Sequence, residues 1–487
     1  MIDLKVDEQG LRRVVERAKE KNIIIPTFEQ MKNPEKVPQN IKDRLRDVGL
    51  WDVDSLNLFR ITWKNEPVKH GGLYGKVNFM ELPQEITGVK ARIVALVGKW
   101  FPTGAHKVGA TFGCLVPRLV TGQFDPTTQK AIWPSTGNYC RGGAYNAQLL
   151  GCESIAILPE GMSRERFDWL KTVAGEVIAT PGSESNVKEI FDKTWELRRT
   201  RDNVVAFNQF EEFGNYLWHY EVTGHAIEEA FRDVAGAGDR YFGVTLTSGS
   251  AGTLAAGDYM KEVFPTSKIA VGEALQCPTL LENGFGAHRL EGIGDKHVPW
   301  IHNVKNTDMV IAVDDTDSMA MIRLFNEPAG KAWLRKKGVS EEVIENLPLL
   351  GISSAANLIT AIKMAKYYEL TEKDLIFTVF TDSMELYGSR LREMEEEYGP
   401  YEELNAAVDY HRHVMGLSVD WMQELGYYDR RRIHNLKYYT WIEQQGRELD
   451  ELNAQWYDAE EYWGSIREMA PAIDEKIRAF NEMTELL

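Results

Sequence analysis

From residue 91 onward, short runs of apolar and β-branched residues recur between longer amphipathic stretches: Ala91–Val97, Ser154–Leu158, Gly243–Leu246, Ile269–Val271, Met309–Val313 and Leu375–Phe380. Runs that are apolar at every position, rather than at every second one, predict strands buried on both faces, and the helical segments between them supply the cover. The pattern therefore predicts an α/β fold built on a mostly parallel sheet. Ahead of it lies an irregular, helix-containing lead-in with a loop at Gly71, Gly72 and Gly75. Beyond about residue 400 the strand runs stop and the chain turns acidic, aromatic and helical. There Pro471 can open a helix whose Ile473, Ile477 and Phe480 form one buried stripe. Tyr427, Tyr428, Tyr438, Tyr439, Trp441, Trp456 and Trp463 crowd the same region, and packing explains such a cluster better than a ligand cage does.

A chain of 487 residues exceeds the usual size of a single core, so two or three domains are expected. The net charge of −17 argues against nucleic acid or an acidic membrane surface as partner, because both are bound through clustered Lys and Arg. The basic run Arg430-Arg431-Arg432 reads as a solvated helix face. Cys114, Cys140, Cys152 and Cys277 are scattered without CxxC spacing, which suits a reducing cytoplasm and gives no zinc pattern. His411 and His413 stand two apart in a predicted helix and face different sides, so no metal site is expected. No apolar stretch is long enough to cross a bilayer, and Met1-Ile2-Asp3-Leu4-Lys5 lacks an apolar signal core. A cytoplasmic protein without a membrane partner is the expectation.

Three small-residue segments then appear in order. Lys107 stands in Pro102-Thr103-Gly104-Ala105-His106-Lys107-Val108-Gly109-Ala110. Pro134-Ser135-Thr136-Gly137-Asn138 follows the strand-like Ala131-Ile132-Trp133 and leads into a helical stretch from Gly142 to Leu149, and Thr247-Ser248-Gly249-Ser250-Ala251-Gly252-Thr253 follows the run that ends at Leu246. In a parallel sheet the loops at the carboxyl ends of strands carry the ligand, and the next helix points its N-terminus at it. Small residues from Gly249 to Thr253 let backbone N–H groups converge on a phosphate. Ser135 and Asn138 also suit helix capping, which is compatible with binding because both use the unpaired N–H groups of a helix start. A lysine alone is most often a solvated surface charge. Together the three segments match pyridoxal 5'-phosphate, which needs an amine for its aldehyde, a seat for its phosphate and a polar loop to grip an amino acid.

Further segments extend the pattern: Asn208-Gln209-Phe210 with Asn215, His219 and Thr223-Gly224; His288-Arg289-Leu290-Glu291-Gly292-Ile293-Gly294; Gly351-Ile352-Ser353-Ser354-Ala355; and Asp382-Ser383 with Glu385 and Tyr387. On these residues the stretch from about 75 to 395 resembles the pyridoxal-phosphate enzymes of fold type II, the tryptophan synthase β-like group, nearest to cysteine synthase and cystathionine β-synthase. The resemblance implies two open, mostly parallel αβα domains with the cofactor in the cleft between them, plus helical extensions at both ends. It implies an N-terminal extension over 1–75, a catalytic core over 76–400 with its smaller subdomain at about 105–215, and a C-terminal extension over 401–487.

Carried over by position, the resemblance implies Lys107 as the Schiff-base lysine, with His106 beside the cofactor. It implies Ser248, Gly249, Ser250, Ala251, Gly252 and Thr253 as the phosphate cradle, and Asn138 against the phenolic oxygen. Ser135, Thr136, Gly137, Asn138 and Gln209 are implied on the substrate, and Ser353, or alternatively Ser383, at the pyridine nitrogen. A neutral hydroxyl there does not hold that nitrogen protonated, so the ring is a weaker electron sink and loss of a β-substituent competes well with transamination. Two departures stand out. His106-Lys107 is similar to the tryptophan synthase β chain, where cysteine synthases carry Ser-Val-Lys. Ser248-Gly249-Ser250-Ala251-Gly252-Thr253 departs from the usual Gly-Thr-Gly-Gly-Thr.

The implied function is β-elimination or β-replacement on a small amino acid such as serine, an O-acylserine or cysteine. The alternatives are the pyridoxal-phosphate subunit of a carbon–carbon bond enzyme, such as 2-amino-4-oxopentanoate thiolase, and a non-catalytic pyridoxal-phosphate-binding protein. A homodimer is expected, and the long extensions raise a second subunit as an alternative.

Overall fold

The apolar runs fall into two sheets in the computed structural model, which describes residues 1–66, 72–135, 137–182, 186–294 and 296–486. The larger sheet has the order β1 (Phe79–Leu82), β2 (Arg92–Val97), β10 (Asp374–Phe380), β7 (Arg240–Thr247), β8 (Lys268–Ala274), β9 (Met309–Val313) and β11 (Met422–Glu424). Its interior pairings are parallel, and only the edge strands β1 and β11 run antiparallel to their neighbours. The smaller sheet has the order β5 (Glu176–Thr180), β4 (Glu153–Pro159), β3 (Lys130–Pro134) and β6 (Val204–Ala206), all parallel. Two mostly parallel sheets flanked by helices give the expected mixed α/β architecture, with helical extensions at both ends.

Every residue of β9 and β10 is buried, as continuous apolar runs require. The strands that hydropathy did not predict are β1, β5, β6 and β11, which lie at sheet edges. Three or four residues suffice for β1, β6 and β11, and β5 is half-exposed along most of its length, so none carries a long apolar run.

One helix explains how the strand ends of the larger sheet are held. Ile352–Tyr367 is buried along residues 352–365, with Ser353, Ser354, Asn357 and Thr360 enclosed among its apolar side chains. Its Asn357 accepts from Thr247 N at 2.7 Å and donates from Nδ2 to Val379 O at 2.6 Å. The carboxyl ends of β7 and β10 are thereby tied together, directly below the loops that leave them.

Residues beyond 400 are woven into the same structure. β11 extends the larger sheet at β9. Ile473, Ile477 and Phe480 on the helix Ala470–Thr484 share a core with Val14 and Ala18 on the helix Glu8–Lys21. Asn481 both accepts from Ile25 N and donates to Ile25 O, so the terminal segments are stitched together by a pair of hydrogen bonds. Among the described residues no single helix is long and apolar enough to cross a membrane.

Candidate active site

Thr103 and Gly104 both sit at φ 69°, in the left-handed region, and turn the chain sharply before the helix Lys107–Val120 begins at the lysine itself. That helix packs tightly because Gly109 lies flat on the Trp218 indole and Gly113 meets Gly214 O; a Cβ at either position would overlap its neighbour. The close contact fixes where the first turn points. Lys107 Nζ donates to Ser250 Oγ at 3.1 Å, and Ser250 Oγ also accepts from Asn215 Nδ2 at 2.9 Å. Candidate lysine and candidate phosphate loop, far apart in sequence, thus touch.

His106 and His219 stand edge to face beside the lysine with ring centres 5.0 Å apart. Burial holds the His106 pKa well below the usual imidazole range, and the Lys107 charge adds to the effect. Burial does the same for His219, reinforced by His106 and Lys107. Both imidazoles are therefore neutral near pH 7, and the lysine amine has no second cation beside it from this pair.

The loop after β7 carries the anion-binding geometry. Among the described residues, the backbone N–H groups of Gly249 to Thr253 take no part in the backbone hydrogen bonds that close the turn. They precede the helix Leu254–Val263, whose positive end adds to their field. Ala251 adopts φ 63°, which lets successive N–H groups face one side. A Cβ on Gly249 would come within 2.7 Å of Gly292 O, and one on Gly252 would overlap Asn215 Oδ1, so both positions require glycine for close approach.

The third element follows β3. Ser135 Oγ accepts from Gly137 N at 3.2 Å and from Gln209 Nε2 at 3.1 Å. Asn138 opens the helix Asn138–Leu149, four residues earlier than its hydropathy indicates, because polar residues form its first turn. Asn138 Nδ2 donates to Asp382 Oδ2 at 2.6 Å, which leaves Asn138 Oδ1 buried without a protein partner. Burial raises the pKa of Asp382, while the charges of Arg166 and Arg141 and bonds from Tyr387 and Asn138 pull it back.

A single cleft gathers these pieces. His106, Lys107, Ser135, Asn138, Gln209, Gly249, Ser250, Ala251 and Thr253 line it. Gly137, Ser248, Gly252, Ser353 and Ser383 are buried but not in its wall, and Thr136 lies outside the described residues. The wall also contains Tyr139, Phe210, Thr247, Ile293 and Thr381, which motif reading did not mark as contacts. Thr381 follows a fully buried strand, and position after such a strand is the one signal that could have marked it. Among the described residues there is no group of three His, Cys, Asp or Glu that could hold a metal ion.

The chemistry of this donor set fits pyridoxal phosphate. Unpaired backbone N–H groups at a helix start suit the phosphate, the amine of Lys107 is within reach of that loop, and the buried oxygen of Asn138 and hydroxyl of Ser135 face the same space.

Comparison with known proteins agrees. The family described as "Pyridoxal-phosphate dependent enzyme" matches residues 98–382, a span that contains Lys107 and all three loops. A probable cysteine synthase of Bacillus subtilis is 29% identical over 289 residues, covering 59% of this chain and 85% of that protein. Cystathionine beta-synthase of Saccharomyces cerevisiae is 26% identical over 318 residues, covering 63% of this chain and 59% of that one. The crystal structure of a hydrogen sulfide-producing enzyme from Fusobacterium nucleatum superposes with a TM-score of 0.55 at 25% identity, over 68% of this chain and 92% of that one. Cleft, lysine and sequence converge: this chain belongs to the pyridoxal-phosphate dependent enzymes of fold type II.

Proposed function

We propose that the enzyme catalyses β-elimination or β-replacement on a small amino acid, with Lys107 as the residue that holds the cofactor and moves protons. The observation that carries this reading is the contact of Lys107 Nζ with Ser250 Oγ inside a cleft that also contains Ser135 and Asn138. The relatives named as cysteine synthase, cystathionine beta-synthase and a hydrogen sulfide-producing enzyme support the reaction class. Pyridoxal phosphate, when bound, supplies an aldehyde for an amine and a conjugated ring that draws electrons from an amino acid's Cα.

The protein's own residues then divide the work. Gly249 to Thr253 seat the phosphate through backbone N–H groups, Ser248 anchors the start of that cradle by donating its own N–H to Gly272 O, and Ser250 keeps the Lys107 amine directed toward the seat. Ser135, Thr136, Gly137 and Asn138, with Gln209 bracing Ser135, grip the substrate carboxylate. With the cofactor and an amino acid bound, the Lys107 amine would take the Cα proton and return a proton at the end, the role of a general base and acid. Ser353 stands as the partner of the ring nitrogen, with Ser383 as the alternative. Residues 76–400 form the catalytic core in this reading, and the helical segments 1–75 and 401–487 flank it.

A homodimer or a second subunit is part of the proposal. Tyr427, Tyr428, Tyr439 and Tyr457 are 60%, 84%, 59% and 65% exposed, an aromatic surface that suits a partner. A reducing compartment is proposed because the four cysteines are scattered along the chain without CxxC spacing, and all four are buried. Incubating the holoenzyme with L-serine, O-acetyl-L-serine and L-cysteine, and assaying ammonia, keto acid and sulfide, tests the reaction. Release of keto acid with ammonia or sulfide, or exchange of the β-substituent for an added thiol, is expected. Turnover of none of them, with or without an added thiol, contradicts the reading.

A further inference from the structure

Arg166 does not line the cleft, and the proposed reaction gives it no task. It stands on the helix Arg164–Val173, which packs on β5 of the smaller sheet, and its side chain has 0% solvent exposure. Withdrawing a guanidinium from water this completely costs several kcal/mol unless charge and hydrogen bonds replace the water. The replacement comes from the half of the molecule built on the larger sheet. Arg166 Nη1 lies 3.0 Å from Glu291 Oε2, and Nη2 donates to Tyr387 OH at 2.7 Å. Tyr387 OH donates to Asp382 Oδ2 at 2.7 Å, and the same oxygen accepts from Asn138 Nδ2 at 2.6 Å. The series of contacts leaves the smaller half at Arg166 and re-enters it at Asn138.

Between those two ends lies the loop assigned to the amino acid. A Cβ on Gly137 would overlap Arg166 Nη1, so the loop backbone rests directly on the guanidinium. Two further bridges brace the same junction. Arg390 pairs with Glu291 at 2.6 Å and donates to Gly161 O at 2.7 Å, and Glu165 accepts from Ser389 N at 2.9 Å and from Ser389 Oγ at 2.7 Å.

We propose that Arg166 is a positioning residue for the substrate loop. Through Glu291 on one side, and through Tyr387 and Asp382 to Asn138 on the other, it holds Gly137 and Asn138, and with them Ser135, in place against the larger half. Arg166 therefore sets affinity for the amino acid far more than affinity for the cofactor, which rests mainly on Lys107 and Ser248–Thr253, with Asn138 as the one contact the two share. This inference rests on the assignment of Ser135–Asn138 to the substrate. Lysine cannot do the same work, because one ammonium cannot present a planar fork to a carboxylate and a phenol at once.

The test uses holoenzyme carrying Arg166→Met, Arg166→Lys, Glu291→Gln and the Arg166→Met/Glu291→Gln pair. L-alanine is the probe: it has no β leaving group, so its effect on the cofactor absorbance reports binding without the proposed reaction. Equilibrium dialysis reports pyridoxal phosphate affinity separately. Arg166→Met is expected to weaken L-alanine about 10-fold or more while cofactor affinity stays within about 3-fold, and the double variant is expected to lose less than the product of the single losses. Where Arg166→Met does not fold, Arg166→Lys carries the same comparison. Equal loss of both affinities, or wild-type L-alanine affinity in the folded variants, overturns the proposal. A wild type whose absorbance answers to no amino acid overturns the loop assignment and this inference with it. A wild type that binds L-alanine but turns over nothing sinks the proposed reaction and leaves Arg166 in its role.

Discussion

Gly252 illustrates how much of the site depends on single residues. A Cβ there would overlap Asn215 Oδ1, and Asn215 is the side chain that donates to Ser250 Oγ and to Gln209 O. Gly252→Ala should therefore displace Asn215, and through it both the hydroxyl facing Lys107 and the backbone that carries Gln209. Cofactor affinity is expected to fall about 10-fold or more, because displacements on the order of 1 Å at a site carry losses of that size. Equilibrium dialysis of pyridoxal phosphate checks it, and an unchanged affinity would remove Gly252 from the cradle. At this scale the sequence was informative where chemistry needs small residues and uninformative where it needs long-range pairing. Lys107 and Ser250 were legible because their segments interrupt an apolar pattern with glycine and hydroxyls. Arg166 was not, because Arg164-Glu165-Arg166-Phe167-Asp168 reads like any charged helix start and its partners Glu291 and Tyr387 are far along the chain.

Among the elements, the helix Ile352–Tyr367 does more than cover the sheet. Asn357 satisfies Thr247 N and Val379 O, two backbone groups at neighbouring strand ends. Asn357→Ala leaves both buried groups without that partner, and each such group costs roughly 1–3 kcal/mol. A stability loss of about 2–4 kcal/mol at unchanged m-value is expected in urea titrations, and a loss under about 1 kcal/mol would contradict the strand-clamp role. The interior strands were readable from hydropathy because burial on both faces leaves no polar alternation. The edge strands were not. β5 is half-exposed along most of its length, and the three residues of β11 become a strand only because β9 offers a free edge. The start of the helix at Asn138 escaped the same reading, since its first turn faces the cleft and the apolar pattern begins later.

For the molecule as a whole, the terminal segments bear on stability. Asp474, on the helix Ala470–Thr484, accepts from Phe28 N at 2.7 Å and Glu29 N at 3.1 Å, and so docks that helix on the N-terminal lead-in. Burial pushes its pKa up to about 6, against the pull of those two N–H groups. The folded state thus keeps a proton that the unfolded state has already lost, so this group makes stability fall as pH rises from about 4 to about 6, then level off. The effect is about 3 kcal/mol at most, since each tenfold change in proton affinity is worth about 1.4 kcal/mol. Urea titrations across that window should show the wild type losing stability relative to Asp474→Asn as pH rises, and parallel curves would contradict the assignment. One amine among all the lysines of this chain, that of Lys107, is proposed to hold the cofactor. Borohydride reduction of holoenzyme followed by peptide mass mapping tests it most directly. A pyridoxyl group is expected on the peptide containing Lys107 and none in Lys107→Ala; an unmodified Lys107, or the label on another lysine, would contradict the assignment.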